Sequence, residues 1–160
     1  KQKKVMTFQY LCLDGNAGRG VYSNAGACSP MIIRKNTGQV EELTLTGAAL
    51  GAFKKANYSE IEVVFSPGDA IVFYTDGIVE ARNRNGEELG YERLKKLLLD
   101  AWNIDAEAFY HNVFNAYLQH IGDEGAQDDL TMVILVFDPQ RAAKNTLPDA
   151  ASPAMEAVNG

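Results

Sequence analysis

The sequence predicts an α+β domain, and three observations carry that prediction. Up to residue 74 the chain reads as strands separated by Gly- and Asn-containing turns. After Asp76-Gly77 the apolar residues recur at helical spacing, and one apolar run at 130–137 follows. A run of strands, then two helices, then one strand argues for α+β layering and against a doubly wound parallel sheet.

Residues 5–14 form an aromatic and aliphatic run that reads as a strand. Gly15-Asn16-Ala17-Gly18 reads as a turn, so that 21–25 pairs back as a hairpin. Residues 31–34 and 40–45, joined at Asn36-Thr37-Gly38, make a second hairpin. The stretch 46–53 holds Gly47 and Gly51 among small residues and is expected to be a loop packed close to other backbone. In 58–65, Ile61, Val63 and Phe65 alternate with Glu60, Glu62 and Val64, the pattern of a half-buried strand. Ser66-Pro67-Gly68-Asp69 is a strong turn signal, and 70–74 is apolar throughout, as in a central strand covered on both faces.

Beyond Asp76-Gly77, residues Tyr91, Leu94, Leu97, Leu98 and Ala101 share one helical face. Asp105 is placed to cap a second helix reaching about His120, with Phe109, Val113, Ala116 and Tyr117 inward. Residues 122–127 break it, and Val133 to Val136 form the body of the last strand. From 139 to 160 the composition turns to Ala, Pro, Asn, Asp and Ser, which reads as a flexible tail or linker.

The 160 residues are 46% hydrophobic and 22% charged, enough for one globular domain with a real core. A net charge of −6 removes the electrostatic footing of nucleic-acid binding. The same acidity can hold divalent cations when gathered at one end of a sheet. Cys12 and Cys28 form no Cys-x-x-Cys pair, and His111 and His120 have no partners at zinc-ligand spacing. Sparse cysteine and the lack of any apolar run of about 18 residues point to a soluble protein of the cytoplasm.

Two acidic spots abut apolar strands: Thr75-Asp76-Gly77 after 70–74, and Asp128-Asp129 before Leu130. If those strands are antiparallel neighbours, the carboxylates converge as hard oxygen donors on a rigid base, and Gly77 lets the backbone approach an ion closely. The same strings also read as an ordinary Asp-Gly turn and a solvated loop, and composition alone leaves both readings open. The stretch from Asp14 fails as a calcium loop, because Arg19 and Ala25 stand at its glycine and glutamate positions.

Several separated strings then occur in order: Ser23-Asn24-Ala25-Gly26, the Gly47 to Phe53 stretch, Ser66-Pro67-Gly68-Asp69, Tyr74-Thr75-Asp76-Gly77-Ile78-Val79-Glu80-Ala81 and Asp128-Asp129-Leu130-Thr131. Together they resemble the PPM-type, protein phosphatase 2C-like serine/threonine phosphatases, in the bacterial branch typified by SpoIIE and RsbU. The resemblance implies an α/β sandwich of two antiparallel sheets flanked by helices. It implies Mn²⁺ or Mg²⁺, two ions in a complete domain, activating water for hydrolysis of phosphoserine or phosphothreonine. Asp76 and Asp128 match the metal-binding aspartates, while Gly77 and Asp129 match supporting positions beside them.

Two features depart from the family pattern. The first metal motif, Asp-x-x-Gly-His-Gly, is absent, since no Gly-His pair occurs. Residues 1–138 are therefore expected to be the C-terminal portion of the domain, without its N-terminal strands and of low activity alone. Ala27-Cys28-Ser29-Pro30 also stands where this branch shows His-x-Pro. The expected partner is a phosphorylated protein, such as an anti-sigma factor antagonist, with an exposed strand edge that invites dimerisation. The alternative is a non-catalytic interaction module on the same sandwich.

Overall fold

The structure is a computed structural model and describes residues 4–144. Among the described residues, seven strands form two antiparallel sheets. The first holds β1 (Phe8–Asp14), β2 (Arg19–Ala25) and β5 (Ile61–Val64) in the order β1-β2-β5. The second holds β3 (Met31–Arg34), β4 (Gln39–Glu42), β6 (Ala70–Tyr74) and β7 (Met132–Val136) in the order β4-β3-β6-β7. Helices α1 (Gly90–Ala101) and α2 (Ala106–Ile121) lie between β6 and β7 in the chain.

Side-chain alternation divides the core in two. Tyr22, Ile32, Val63, Phe65 and Ile71 fill the space between the sheets. Met31, Ile33, Val72, Tyr74, Leu94, Leu98, Phe109, Val113 and Tyr117 join the second sheet to the helices. Successive residues of β6 serve opposite faces, Ile71 and Phe73 toward the other sheet, Val72 and Tyr74 toward the helices. That explains why this strand carries no polar residue.

Local devices fix the frame. Asp105 caps α2 by accepting from the Glu107 and Ala108 amides at 3.1 and 3.0 Å. Gly47 is held against the first sheet, where an added Cβ would stand 2.0 Å from the Asn24 carbonyl oxygen. In the turn before β6, Asp69 is buried and its carboxylate accepts from Ser66 N, Lys35 N and Arg34 Nη1.

Several boundaries differ from the sequence expectation. Regular pairing of β1 starts at Phe8, while Met6 bridges to Leu50 across the 46–53 loop. β4 and β5 are shorter than expected, at four residues each. β7 starts at Met132 because the preceding backbone is taken up in bonds to Thr75. The stretch expected to be a tail opens with a short helix, α3 (Pro139–Lys144). Asp138 accepts from the Gln140 and Arg141 amides and Pro139 sits at the first helical position, where its missing N–H costs nothing. The rest of that expectation, 145–160, lies outside the described residues.

Among the described residues, β1 pairs only with β2 and β7 only with β6. Between these two open edges runs a groove of about 350 Å³, lined by Tyr10, Leu11, Phe73, Val133 and Leu135 and reaching Thr75 and Thr131.

Candidate metal centre

The antiparallel pairing of β6 with β7 brings the two acidic strings together. Its last register pair is Tyr74 with Met132. One residue further, Thr75 N donates to the Thr131 carbonyl at 3.1 Å. The Thr75 hydroxyl donates to the Asp129 carbonyl at 3.1 Å and accepts from Thr131 N at 3.0 Å. Asp76–Ile78 then forms a single 3₁₀ turn, with the amides of Val79 and Glu80 both donating to the Asp76 carbonyl.

Asp76 and Asp128 both have exposed side chains on these two adjoining loops. Gly77, next to Asp76, packs against the 128–129 loop. A Cβ added at Gly77 would stand 2.7 Å from the Asp129 carbonyl oxygen and 3.6 Å from the Asp128 Cβ. Any other residue would push the loops apart. Asp128 Oδ1 accepts from the Asp129 amide at 2.7 Å, which fixes the direction of its carboxylate. Asp129 contributes through its backbone, and its side chain is exposed.

A third loop, 24–30, arrives at the same end because β3 pairs antiparallel with β6. The buried Asn24 side chain shapes it by donating to the Ala27 carbonyl and accepting from the Ala27 amide. Burial pushes the Cys28 thiol pKa up, and the carboxylates of Asp76 and Glu80 add to the shift. Burial also raises Tyr91, with Cys28, Glu42, Glu80 and Asp76 contributing. The Tyr74 hydroxyl is buried with no hydrogen-bond partner among the described residues, and burial is the main reason its pKa is raised.

Cys28 and Tyr91 thus feel the charge of Asp76 and Glu80, an influence that sequence reasoning did not assign to them. The Asn24-Ala25-Gly26 string marked the loop without indicating which side chain it delivers. Cys12 and Cys28 are both free, so no disulfide joins them. Neither histidine is bonded to the acidic pair: His120 Nε2 is 3.1 Å from the Ala81 carbonyl, and His111 faces Glu107.

Chemically, the pair offers hard oxygen donors with capacity to spare. Among the described residues neither carboxylate oxygen of Asp76 takes a hydrogen bond, and neither does Oδ2 of Asp128. Such donors, held on strand ends above a glycine with no room for a side chain, fit Mg²⁺ or Mn²⁺. They are not a complete shell. Among the described residues no three His, Cys, Asp or Glu side chains are grouped to hold one ion.

Comparison with known proteins adds an independent finding. The family described as Stage II sporulation protein E (SpoIIE) matches residues 1–138. Phosphoserine phosphatase RsbU of Bacillus subtilis is 26% identical over 114 residues, covering 71% of this chain and 33% of RsbU. Protein IcfG of Synechocystis is 28% identical over 121 residues, covering 76% of this chain and 19% of IcfG. The chain thus spans a third or less of each of these two relatives. Among solved structures, the SiaA-PP2C domain of Pseudomonas aeruginosa superposes with a TM-score of 0.64 at 22% identity, over 76% of this chain and 48% of that one. The two antiparallel sheets with helices packed on one of them are the fold shared with that domain.

Proposed function

The chain belongs to the SpoIIE family, and from that premise we propose that it is the C-terminal, metal-binding part of a serine/threonine phosphoprotein phosphatase domain. The observation that carries the reading is the juxtaposition of Asp76 and Asp128 across the β6–β7 pair, over Gly77.

In this reading Asp76 and Asp128 are ligands for Mn²⁺ or Mg²⁺, and Gly77 and the Asp129 backbone hold them at working distance. A bound divalent cation acidifies water and neutralises charge on the phosphoryl oxygens, so the reaction needs no protein nucleophile. The protein's part is to fix the carboxylates before the ion arrives. Two carboxylates are fewer than the six oxygen donors such ions take. Water and the phosphoryl oxygens of the substrate would fill the remaining positions around such an ion. The groove between β1 and β7 opens at Thr75 and Thr131, beside the acidic pair.

The substrate class is a phosphorylated regulatory protein, such as an anti-sigma factor antagonist, in a bacterial signalling system of the cytoplasm. Similarity to a phosphoserine phosphatase supports this. A net charge of −6 argues against nucleic acid as a partner, and no described helix is long and apolar enough to cross a membrane. The unpaired edges of β1 and β7, with Val133 and Leu135 exposed beside them, also suit pairing with a second copy. The alternative, a non-catalytic interaction module, is favoured by one observation, the absence of a third metal-ligating side chain among the described residues.

Hydrolysis of a phosphoserine peptide in Mn²⁺ by the full-length protein carrying this chain, and by its Asp76→Asn variant, tests the proposal. Loss of activity in the variant supports it. Equal activity in the two would remove Asp76 from the mechanism.

A further inference from the structure

The bond pattern around Thr75 goes beyond what joins two strands. The backbone pair Thr75 N to Thr131 O already continues the ladder by one step. The hydroxyl adds two more bonds of opposite sense: it donates to the Asp129 carbonyl and accepts from the Thr131 amide. A hydroxyl can do both at once, whereas a methyl or a carboxylate cannot.

These bonds act on the acidic pair through a short covalent path. Capture of the Asp129 carbonyl fixes residue 129, whose own N–H holds Oδ1 of Asp128 at 2.7 Å. The captured carbonyl is also the atom that stands 2.7 Å from the Cβ position of Gly77. On the other side, Thr75 is bonded directly to Asp76, whose carbonyl anchors the 3₁₀ turn. One side chain thus ties the loop of Asp76 to the loop of Asp128.

We propose that Thr75 is the positioning residue of the metal centre: its hydroxyl clasps the 128–131 backbone and thereby sets the separation and orientation of the Asp76 and Asp128 carboxylates for one divalent cation. The inference rests on the metal reading of the two aspartates. Thr75 touches neither ion nor substrate, so it works by preorganising ligands that would otherwise be ordered at the expense of binding.

The test is a Mn²⁺ titration of the ¹⁵N-labelled 160-residue chain, following paramagnetic broadening of backbone amides, for wild type, Thr75→Val, Thr75→Ser and Asp76→Asn. Thr75→Val keeps shape and removes both hydroxyl bonds, and its Mn²⁺ affinity falls about tenfold or more, the usual cost of losing a group that orients a ligand. Thr75→Ser keeps the hydroxyl and stays within about threefold of wild type, a rescue that a purely steric role for the threonine methyl would not produce.

Asp76→Asn separates the two levels. If it leaves Mn²⁺ binding unchanged, the metal reading fails and this inference fails with it. If it weakens binding while Thr75→Val binds as wild type does, only the role of Thr75 is overturned. Amide exchange in the wild-type chain gives a check that needs no variant. The Thr131 N–H is expected to be protected, and exchange at the unprotected rate would overturn the clasp.

Discussion

Replacing Asp69 by Ala removes the buried carboxylate that ties the turn before β6 to the β3–β4 hairpin. Its Oδ2 accepts from Arg34 Nη1 and Ser66 N, both at 3.0 Å, and its Oδ1 from Lys35 N at 2.9 Å. The side chain is 3% exposed, so little water is available to replace it. Two backbone amides lose their acceptor, and each stranded buried donor costs about 1–3 kcal/mol. Breaking a buried ion pair by removing one partner costs about 3–5 kcal/mol. Arg34 keeps Glu41 and the Val64 carbonyl and is 23% exposed, so the lower part of these ranges applies. The expected loss is about 3 kcal/mol. With a urea slope of about 1.5–2 kcal/mol/M, the unfolding midpoint drops by roughly 1.5–2 M at unchanged slope. Asp69→Asn keeps one acceptor oxygen and recovers part of the loss. Because five strand residues at roughly 3.3 Å each separate this turn from Asp76, Mn²⁺ affinity of the folded variant stays at the wild-type value. A midpoint shift below about 0.5 M for Asp69→Ala would refute the reasoning.

Gly77→Ala places a methyl 2.7 Å from the Asp129 carbonyl oxygen. The loops must part, which lowers stability by about 1–3 kcal/mol in a thermal melt and weakens Mn²⁺ binding together with it. For Asp105, the Ala108 amide and then the Arg141 guanidinium hold the carboxyl below its usual 3.8, against some desolvation. A depressed folded-state value means the stabilisation is present above the unfolded pKa and is lost as pH falls through the folded one. The melting-temperature gap between wild type and Asp105→Ala is thus full above about pH 4 and closes on further acidification; a gap that stayed constant down to about pH 2 would contradict this.

The sequence was most informative where one physical signal dominates. β6 matches its expected bounds because a strand buried on both faces has no polar residue to blur its ends. The Asp105 cap was equally legible, since the residue type and its position state the bond it makes. The ends of β1, β4 and β5 were not, because pairing there stops where the partner strand stops, and apolar residues continue beyond it. The start of β7 was displaced by Thr75, whose side-chain bonds leave no periodic trace. Pairing of β2 with β5 and of β3 with β6 joins segments some 40 residues apart and follows from no local pattern.

The same contrast holds at the acidic pair. Asp76 and Asp128 were visible as carboxylates at the ends of apolar strands, and their convergence followed once antiparallel pairing was assumed. The 24–30 loop was not legible in the same way, because the Asn24 amide folds it back on Ala27, a one-residue device inside an unremarkable string of small residues. Asp138-Pro139 was a readable N-cap and first-turn pair, masked by the low periodicity of the residues after it.

The proposed sharing of a divalent cation by Asp76 and Asp128 is tested most directly by Mn²⁺ broadening mapped residue by residue on the wild-type chain. The expected result is selective loss of amide signals at 76–80 and 128–131 at low Mn²⁺, abolished by Asp76→Asn. Broadening centred elsewhere on the acidic surface, or an unchanged pattern in Asp76→Asn, would contradict it.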